Sequence, residues 1–290
     1  MRYLIIFALL AASLTSCNEN PTYVPYDDRT AIVDIVAKDY PNLFQTLVVN
    51  ADVPDTTLHL TSGSYKPLFY WREIIDHGRK YDINAIYPDS LGIVPYATVT
   101  VTESIRINFH VIASDTTAIP DSIVRIVKPA TELIRVAARM EQWGNQYDAR
   151  NGWLLQKASP VFGSSTILPY GILKVTLSSL SIGEKLYSSS DYLRLDSLNQ
   201  IPIVRKNETI NVTVQVSDPS DIITFHIGKD VFAQTSPTPI DSNRFQAILV
   251  SPDQVGYFHI TIDLIDDVAI PDTANYQFQR WSLPLHILNN

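Results

Sequence analysis

The sequence predicts a mainly β protein, in which an N-terminal α+β domain with a curved antiparallel sheet precedes a β-sandwich. Residues 97–113 alternate apolar and polar side chains with a period of two, which is typical of a strand with one buried face. After residue 165, short alternating segments are separated by Gly-, Ser- and Asp-containing breaks, as in a sandwich. Residues 30–49 have helical spacing.

The helical stretch comes first in the chain. Ile32, Ile35 and Val36 lie at helical spacing behind Thr30, which we expect to cap the helix. Pro41 predicts that the helix breaks or restarts there. An aromatic-rich segment, residues 67–89, is expected to form the strand that follows.

The alternating segment places its apolar side chains at odd positions between Val99 and Val111. A straight strand of this length, at about 3.3 Å per residue, would exceed about 50 Å. We therefore expect the segment to bend, or to turn near Glu103 and Ser104. Either geometry keeps it in a sheet with one buried face.

Residues 131–143 are compatible with two structures. Leu133, Val136 and Met140 fit a helix capped by Thr131, while alternate residues from Ile134 to Met140 fit a strand equally well. The loop at 144–152 and the apolar residues after it favour a hairpin, and therefore a strand.

The second half of the chain has six alternating segments. Of these, 209–217 and 257–266 alternate most cleanly, so each is expected to present one apolar face to a facing sheet. Pro284 is expected at a sheet edge or a bulge. The six segments are residues 172–180, 209–217, 222–228, 244–251, 257–266 and 280–288.

The first 18 residues have the pattern of an export signal. Arg2 precedes an apolar run, residues 3–12, that is about half the length needed to cross a bilayer, and Cys17 is the only cysteine of the 290 residues. Residues 14–17 resemble the lipobox of bacterial lipoproteins, whose four positions are taken by Leu14, Thr15, Ser16 and Cys17. The resemblance implies cleavage before Cys17, a diacylglycerol on its sulfur and acylation of the new amino group. More than one acyl chain anchors a protein stably.

The predicted organisation is a signal peptide (1–16), a tether (17–29), the α+β domain (30–162) and the sandwich (165–290). Because residue 18 is not Asp, the resemblance to proteobacterial lipoproteins implies a lipid anchor in the outer membrane of a bacterial cell envelope. The net charge of −8, without a basic cluster, argues against nucleic acid as a partner.

Two further resemblances concern the folded body. Residues 25–160, with a helix, a Tyr-rich strand, an alternating strand and a hairpin, look like the cone-shaped nuclear transport factor two-like domains. Family enzymes place an Asp–His pair inside the cone, for which Asp76 and His77 are the nearest equivalents. Residues 251–267 resemble the corner of bacterial immunoglobulin-like modules, with Tyr257 as the corner tyrosine.

No residue pattern announces a catalytic, cofactor or metal site. The six histidines are isolated, and we expect each on a polar strand face or in a loop. Two groups of Asp could supply calcium ligands, but we favour turn caps. Trp71, Trp143, Trp153 and Trp281 could line a ligand groove, although core or cross-strand positions are the commoner use. The two Asp groups are Asp218 with Asp221, and Asp263, Asp266, Asp267 and Asp272.

The sequence therefore favours a membrane-anchored envelope lipoprotein that acts as a non-catalytic binding or structural module, without cofactors. Its partner would be an envelope protein or a small ligand. The alternative is an envelope hydrolase or isomerase that uses Asp76 and His77 as an acid–base pair.

Overall fold

The computed structural model of the chain describes residues 26–44, 65–89, 92–115, 122–165, 171–188, 201–228, 237–266 and 277–289. Antiparallel sheets dominate these residues, which confirms the predicted mainly β class.

Two short helices open the described chain. Helix α1 (Tyr26–Asp34) continues into a π-helical turn (Ile35–Asp39), and α2 (Pro41–Phe44) follows. Pro41 begins α2, so the predicted restart is confirmed; a proline is tolerated there because the first helical residues need no N–H partner. The expected cap was wrong, because α1 starts before Thr30 and inside the stretch predicted to be a tether.

Within the described ranges, fourteen strands follow the helices. Residues 122–142 form one strand, so the strand interpretation of residues 131–143 is confirmed. The strands are β1 (Tyr65–Ile86), β2 (Tyr96–Asp115), β3 (Ser122–Gln142), β4 (Trp153–Ala158), β5 (Val161–Ser164), β6 (Ile172–Ser179), β7 (Gly183–Ser188), β8 (Ile203–Arg205), β9 (Thr209–Val216), β10 (Ile222–Ile227), β11 (Thr238–Pro239), β12 (Arg244–Val250), β13 (Gly256–Ile265) and β14 (Phe278–Leu288).

The strands form two sheets. The larger has the order β1-β2-β3-β5-β14-β13-β10, with β4 beside β3 and β8 parallel to β14. The smaller has the order β11-β12-β9-β6-β7. Short strand β5 pairs with both β3 and β14, so the larger sheet runs across the boundary predicted at residues 162–165.

The larger sheet curls back over itself. Five strand steps separate β1 from β13 in the hydrogen-bonding order, which in a flat sheet would be about 24 Å. Yet Arg72 of β1 lies 3.4 Å from Asp263 of β13. Strand β2 is unbroken, so the turn near Glu103 and Ser104, one of the two expected geometries, does not occur.

The inner face of the curl carries the odd-numbered residues of β2. Val99, Val101, Ile107 and their neighbours are fully buried there, and α1 and α2 contribute Ile32 and Phe44 to the same apolar cluster. Burial of each such side chain contributes about 1.5–3 kcal/mol. The alternation in the sequence therefore identified the buried face correctly.

Strands β13 and β14 are buried on both faces. One face, with Ile260, Ile262 and Leu283, packs against the smaller sheet. The opposite face lies under the curl, so the polar residues that alternate with the apolar ones are buried too. The expectation that residues 257–266 present one apolar face to a facing sheet is confirmed. The second face of β13 and β14 is buried as well, because residues distant in the chain cover it.

Pro284 lies in the middle of the larger sheet rather than at its edge, contrary to the prediction. It pairs with His259 of β13 on one side. On the other side of β14, the pairing with β5 ends at Ser282 and the pairing with β8 begins at His286. The N–H of His286 donates to the carbonyl oxygen of Pro202 on that side. The backbone nitrogen of Pro284 therefore faces the gap between β5 and β8, so its lack of an N–H costs the sheet no hydrogen bond.

Candidate functional site

Four charged residues under the curl form one buried group, which we call the ionic cluster. Arg280 donates from Nε to Oδ1 of Asp263 and from Nη2 to Oδ2, each at 2.7 Å. Arg72 reaches the same carboxylate at 3.4 Å, and its Nε lies 3.2 Å from Oε1 of Glu132. The cluster therefore joins β1 and β3 to β13 and β14.

All four members of the ionic cluster are almost fully buried. Burial alone would raise the pKa of Asp263, but Arg280 and Arg72 hold it well below its ordinary range. Both guanidinium groups also lie over the ring of Phe278, at 4.3 Å for Arg72 and 5.3 Å for Arg280. Two positive and two negative charges balance, which is the condition for burying them.

Two buried histidines flank the ionic cluster. His226 of β10 is buried, and neither ring nitrogen has a hydrogen-bond partner among the described residues. Desolvation lowers the pKa of His226 to about 4, and the charges of Arg280 and Arg72 also oppose protonation, while Asp263 favours it. His226 is therefore neutral at pH 7.

His259 of β13 connects the sheet to the helices. Its Nε2 lies 3.1 Å from the carbonyl oxygen of Leu43, so this nitrogen carries the proton and donates it. Its Nδ1 lies 3.0 Å from Oγ of Ser282. Desolvation lowers the pKa of His259 to about 4. His226 and His259 lie on the polar face of their strands, as the sequence predicts, and the curl buries that face.

Asp76 and His77, the predicted acid–base pair, lie on β1. Consecutive strand residues project to opposite faces. Asp76 is on the outer face, where Arg106 donates to it at 2.8 Å, and it also accepts the backbone N–H of His77. These bonds lower the pKa of Asp76, the His77 N–H most.

The ring of His77 lies on the inner face, 3.6 Å from Oε1 of Glu103. Arg79 donates to the same oxygen from Nε at 2.6 Å and also from Nη2. Side chains of Asp76 and His77 are 60% and 51% exposed. The two therefore do not form the acid–base pair on which the enzymatic alternative depended.

A second histidine arrangement lies on the outer face of the curl. The ring of Trp71 stacks on His110, with 4.5 Å between centroids. Nε2 of His110 lies 2.8 Å from Glu73, and Arg125 donates to its Nδ1 at 3.1 Å. Because Arg only donates, neutral His110 carries its proton on Nε2. His110 and then Asn108 lower the pKa of Glu73. Both imidazole nitrogens of His110 thus have hydrogen-bond partners. Together with the stacked Trp71, these bonds hold the His110 ring in one position across β1, β2 and β3.

The Asp residues weighed as calcium ligands, for which turn caps are the favoured prediction, have different roles. Asp263 belongs to the ionic cluster, and Asp218 accepts from the backbone and hydroxyl of Ser220, as a turn cap does. Asp218, Asp221 and Asp266 line one cleft of about 220 Å³. Within the described ranges no three His, Cys, Asp or Glu side chains are arranged to hold a metal ion. Asp267 and Asp272 lie outside these ranges.

The four tryptophans differ in environment. Trp153 and Trp281 are core residues, Trp71 forms the cross-strand pair, and Trp143 is 63% exposed. They do not line a common groove. The predicted lipid-attachment residue, Cys17, and His59 lie outside the residues that the structure describes.

Sequence reasoning missed the ionic cluster, although a signal was present. Glu132 interrupts the buried face of β3, where the positions two residues away, Ala130 and Ile134, are apolar. A charge at an apolar-face position indicates a buried partner. Nothing local to Arg72, Asp263 or Arg280 indicates that these three meet.

Comparisons with protein-family models, with curated proteins and with solved structures find no match to the chain. Among the described residues, no helix is both long enough and apolar enough to cross a membrane.

Proposed function

We propose that the chain is a bacterial envelope lipoprotein, anchored through lipid on Cys17, whose folded body is a non-catalytic binding or structural module. The non-catalytic assignment is supported by the hydrogen bonds and ion pairs that buried polar side chains make within the chain. The ionic cluster, His259 and His110 all bond to other parts of the same chain. Groups held in this way stabilise one arrangement of strands and are not available to a substrate.

The finer division of the body also belongs to this proposal. We infer an N-terminal domain like those of nuclear transport factor two and a C-terminal immunoglobulin-like sandwich. The presence of two separate apolar clusters, one centred on the curl and one between the two sheets, supports this division. The partner would be another envelope protein or a small ligand, and the anchor would lie in the outer membrane.

Attachment is tested with Cys17→Ser and, as a control, Thr15→Ala in the full chain. Because the thiol is the nucleophile that accepts the lipid, Cys17→Ser should abolish incorporation of an alkyne-labelled fatty acid and move the protein to the soluble fraction. Thr15→Ala should stay labelled. Labelled Cys17→Ser protein, or unlabelled wild type, would refute the anchor.

The non-catalytic assignment is tested with protein lacking residues 1–17. We expect no turnover of model esters, glycosides or peptides above the level of the same protein after inactivation by heat. Turnover that a single substitution abolishes would overturn the assignment. His77→Gln is the first substitution to examine, because among the described histidines its ring is half-exposed and has a carboxylate beside it.

A further inference from the structure

The loop between β3 and β4, residues 143–152, displays two aromatic rings to solvent; we call it the aromatic loop. Trp143 is 63% and Tyr147 is 88% exposed. Large aromatic rings are usually buried or placed at an interface, because each contributes an extensive apolar surface. Two of them on one short loop therefore require an explanation.

The aromatic loop is internally fixed. Asp148 accepts the N–H of Asn145 at 2.8 Å, and Asn145 accepts the N–H of Tyr147 at 2.9 Å. Gly144 and Gly152 approach so closely that a Cβ on either would collide with the loop, and Gly152 has a φ of +72°. The backbone beside both rings is thus held in place while the rings themselves remain outside.

The aromatic loop adjoins the helix into which the predicted tether leads. Asn151 donates to Asp28 of α1 at 3.1 Å. Arg150 donates to Asp34 at 2.9 Å and to Asp39 at 2.7 Å and 2.8 Å. The loop is therefore attached to the N-terminal end of the folded body by four charged or amide contacts, and it moves with that end.

The chain between Cys17 and the first residue of α1 is short. Nine residues from Cys17 to Tyr26 span at most about 30 Å when fully extended. A lipid on Cys17 would keep the start of α1, and the aromatic loop beside it, within that distance of the bilayer. The opposite end of the body is not constrained in this way.

We propose that the aromatic loop is a membrane contact, in which Trp143 and Tyr147 enter the headgroup region of the bilayer that holds the Cys17 lipid. This inference rests on the lipid anchor proposed above. Trp and Tyr favour this region because their rings are apolar and their N–H or O–H stays hydrated. In Trp143 the ring Nε1 donates to the carboxylate of Glu141 at 3.2 Å, at an exposed position. Arg150 is already paired and Glu141 and Asp148 are acidic, so the surface that fits is zwitterionic rather than anionic.

The test couples the mature chain to phosphatidylcholine vesicles through a maleimide lipid on Cys17, its only thiol. Nitroxide-labelled phospholipid then quenches tryptophans at the headgroup level. The quenchable fluorescence should disappear in Trp143→Phe and persist in Trp71→Phe, a matched control on the outer face of the curl. Equal quenching of wild type and Trp143→Phe overturns the proposal.

Uncoupled protein supplies a second measurement. Replacing Trp143 and Tyr147 together by Ser should weaken partition into the same vesicles about tenfold or more. Leu180→Ser should leave partition unchanged, although Leu180 is 89% exposed, because it lies in the turn that joins β6 to β7 of the smaller sheet and outside the aromatic loop. Equal partition of the double variant and Leu180→Ser overturns the proposal. The proposal is also overturned if vesicles do not quench Trp143 while an added envelope protein shields its fluorescence from a soluble quencher.

Failure of this inference and failure of the anchor are distinguishable. The vesicle experiment supplies the lipid chemically, so its result does not depend on processing in the cell. Fatty-acid labelling of wild type and Cys17→Ser reports on processing alone.

Discussion

Replacement of Asp263 by Asn tests whether the ionic cluster holds the curl against β13 and β14. The change keeps the volume of the side chain but removes the charge that Arg280 meets twice at 2.7 Å and Arg72 meets at 3.4 Å. Both guanidinium groups stay buried, with Glu132 as the remaining counter-charge. Removing one partner of a buried ion pair costs about 3–5 kcal/mol. Against a total stability of about 5–15 kcal/mol, this loss is large.

The expected result is a fall of about 10 °C in the thermal midpoint and a lower urea midpoint with an unchanged slope. Asp218→Asn is the control, because Asp218 is an exposed turn cap and its loss should cost about 1 kcal/mol or less. The measurement belongs at pH 7, since the depressed pKa of Asp263 keeps its contribution intact until the pH falls below about 4. A loss below about 1 kcal/mol for Asp263→Asn would contradict the reasoning.

Two more predictions concern single side chains. His226 binds a proton more weakly in the folded chain, with a pKa of about 4 against 6.5, so stability should fall as the pH drops from about 6.5 towards 4, by up to about 3 kcal/mol. His226→Leu should remove about half of the histidine contribution to this dependence in urea titrations between pH 7 and 5, because His259, whose pKa is also about 4, keeps its own share. The half-exposed control His77→Gln should keep the full dependence, and an unchanged slope in His226→Leu would disprove the assignment. Burial opposes ionisation of Glu208, but hydrogen bonds from Ser179, Ser181 and Arg205 lower its pKa to about 2. Glu208→Gln should therefore cost about 1 kcal/mol at pH 7, and a neutral result would show that these bonds are replaced by water.

The local elements of the fold were predictable because their signals are local. Alternation placed the inner-face residues of β2 correctly, and the loop at 144–152 indicated the hairpin that makes residues 131–143 a strand. The restart at Pro41 followed from the missing N–H of proline. Each of these inferences depends on residues within one turn or one strand of each other.

The candidate sites were less predictable. Asp76 and His77 looked like a pair because they are adjacent in sequence, but a strand sends adjacent side chains to opposite faces. Conversely, Arg72 and Asp263 are separated by 191 positions and meet in the interior. Sequence patterns report which face of a strand is apolar, and they do not report what covers the other face.

The sequence by itself determined the mainly β class, the buried face of β2 and, as a prediction still to be tested, the lipid site at Cys17. Only the tertiary structure decided that β13 and β14 are covered on both faces and that the polar residues of the second face belong to an ionic cluster. The physical reason is the curl of the larger sheet. It brings β1 over β13, and that approach depends on the summed twist of five strand pairings rather than on any one segment.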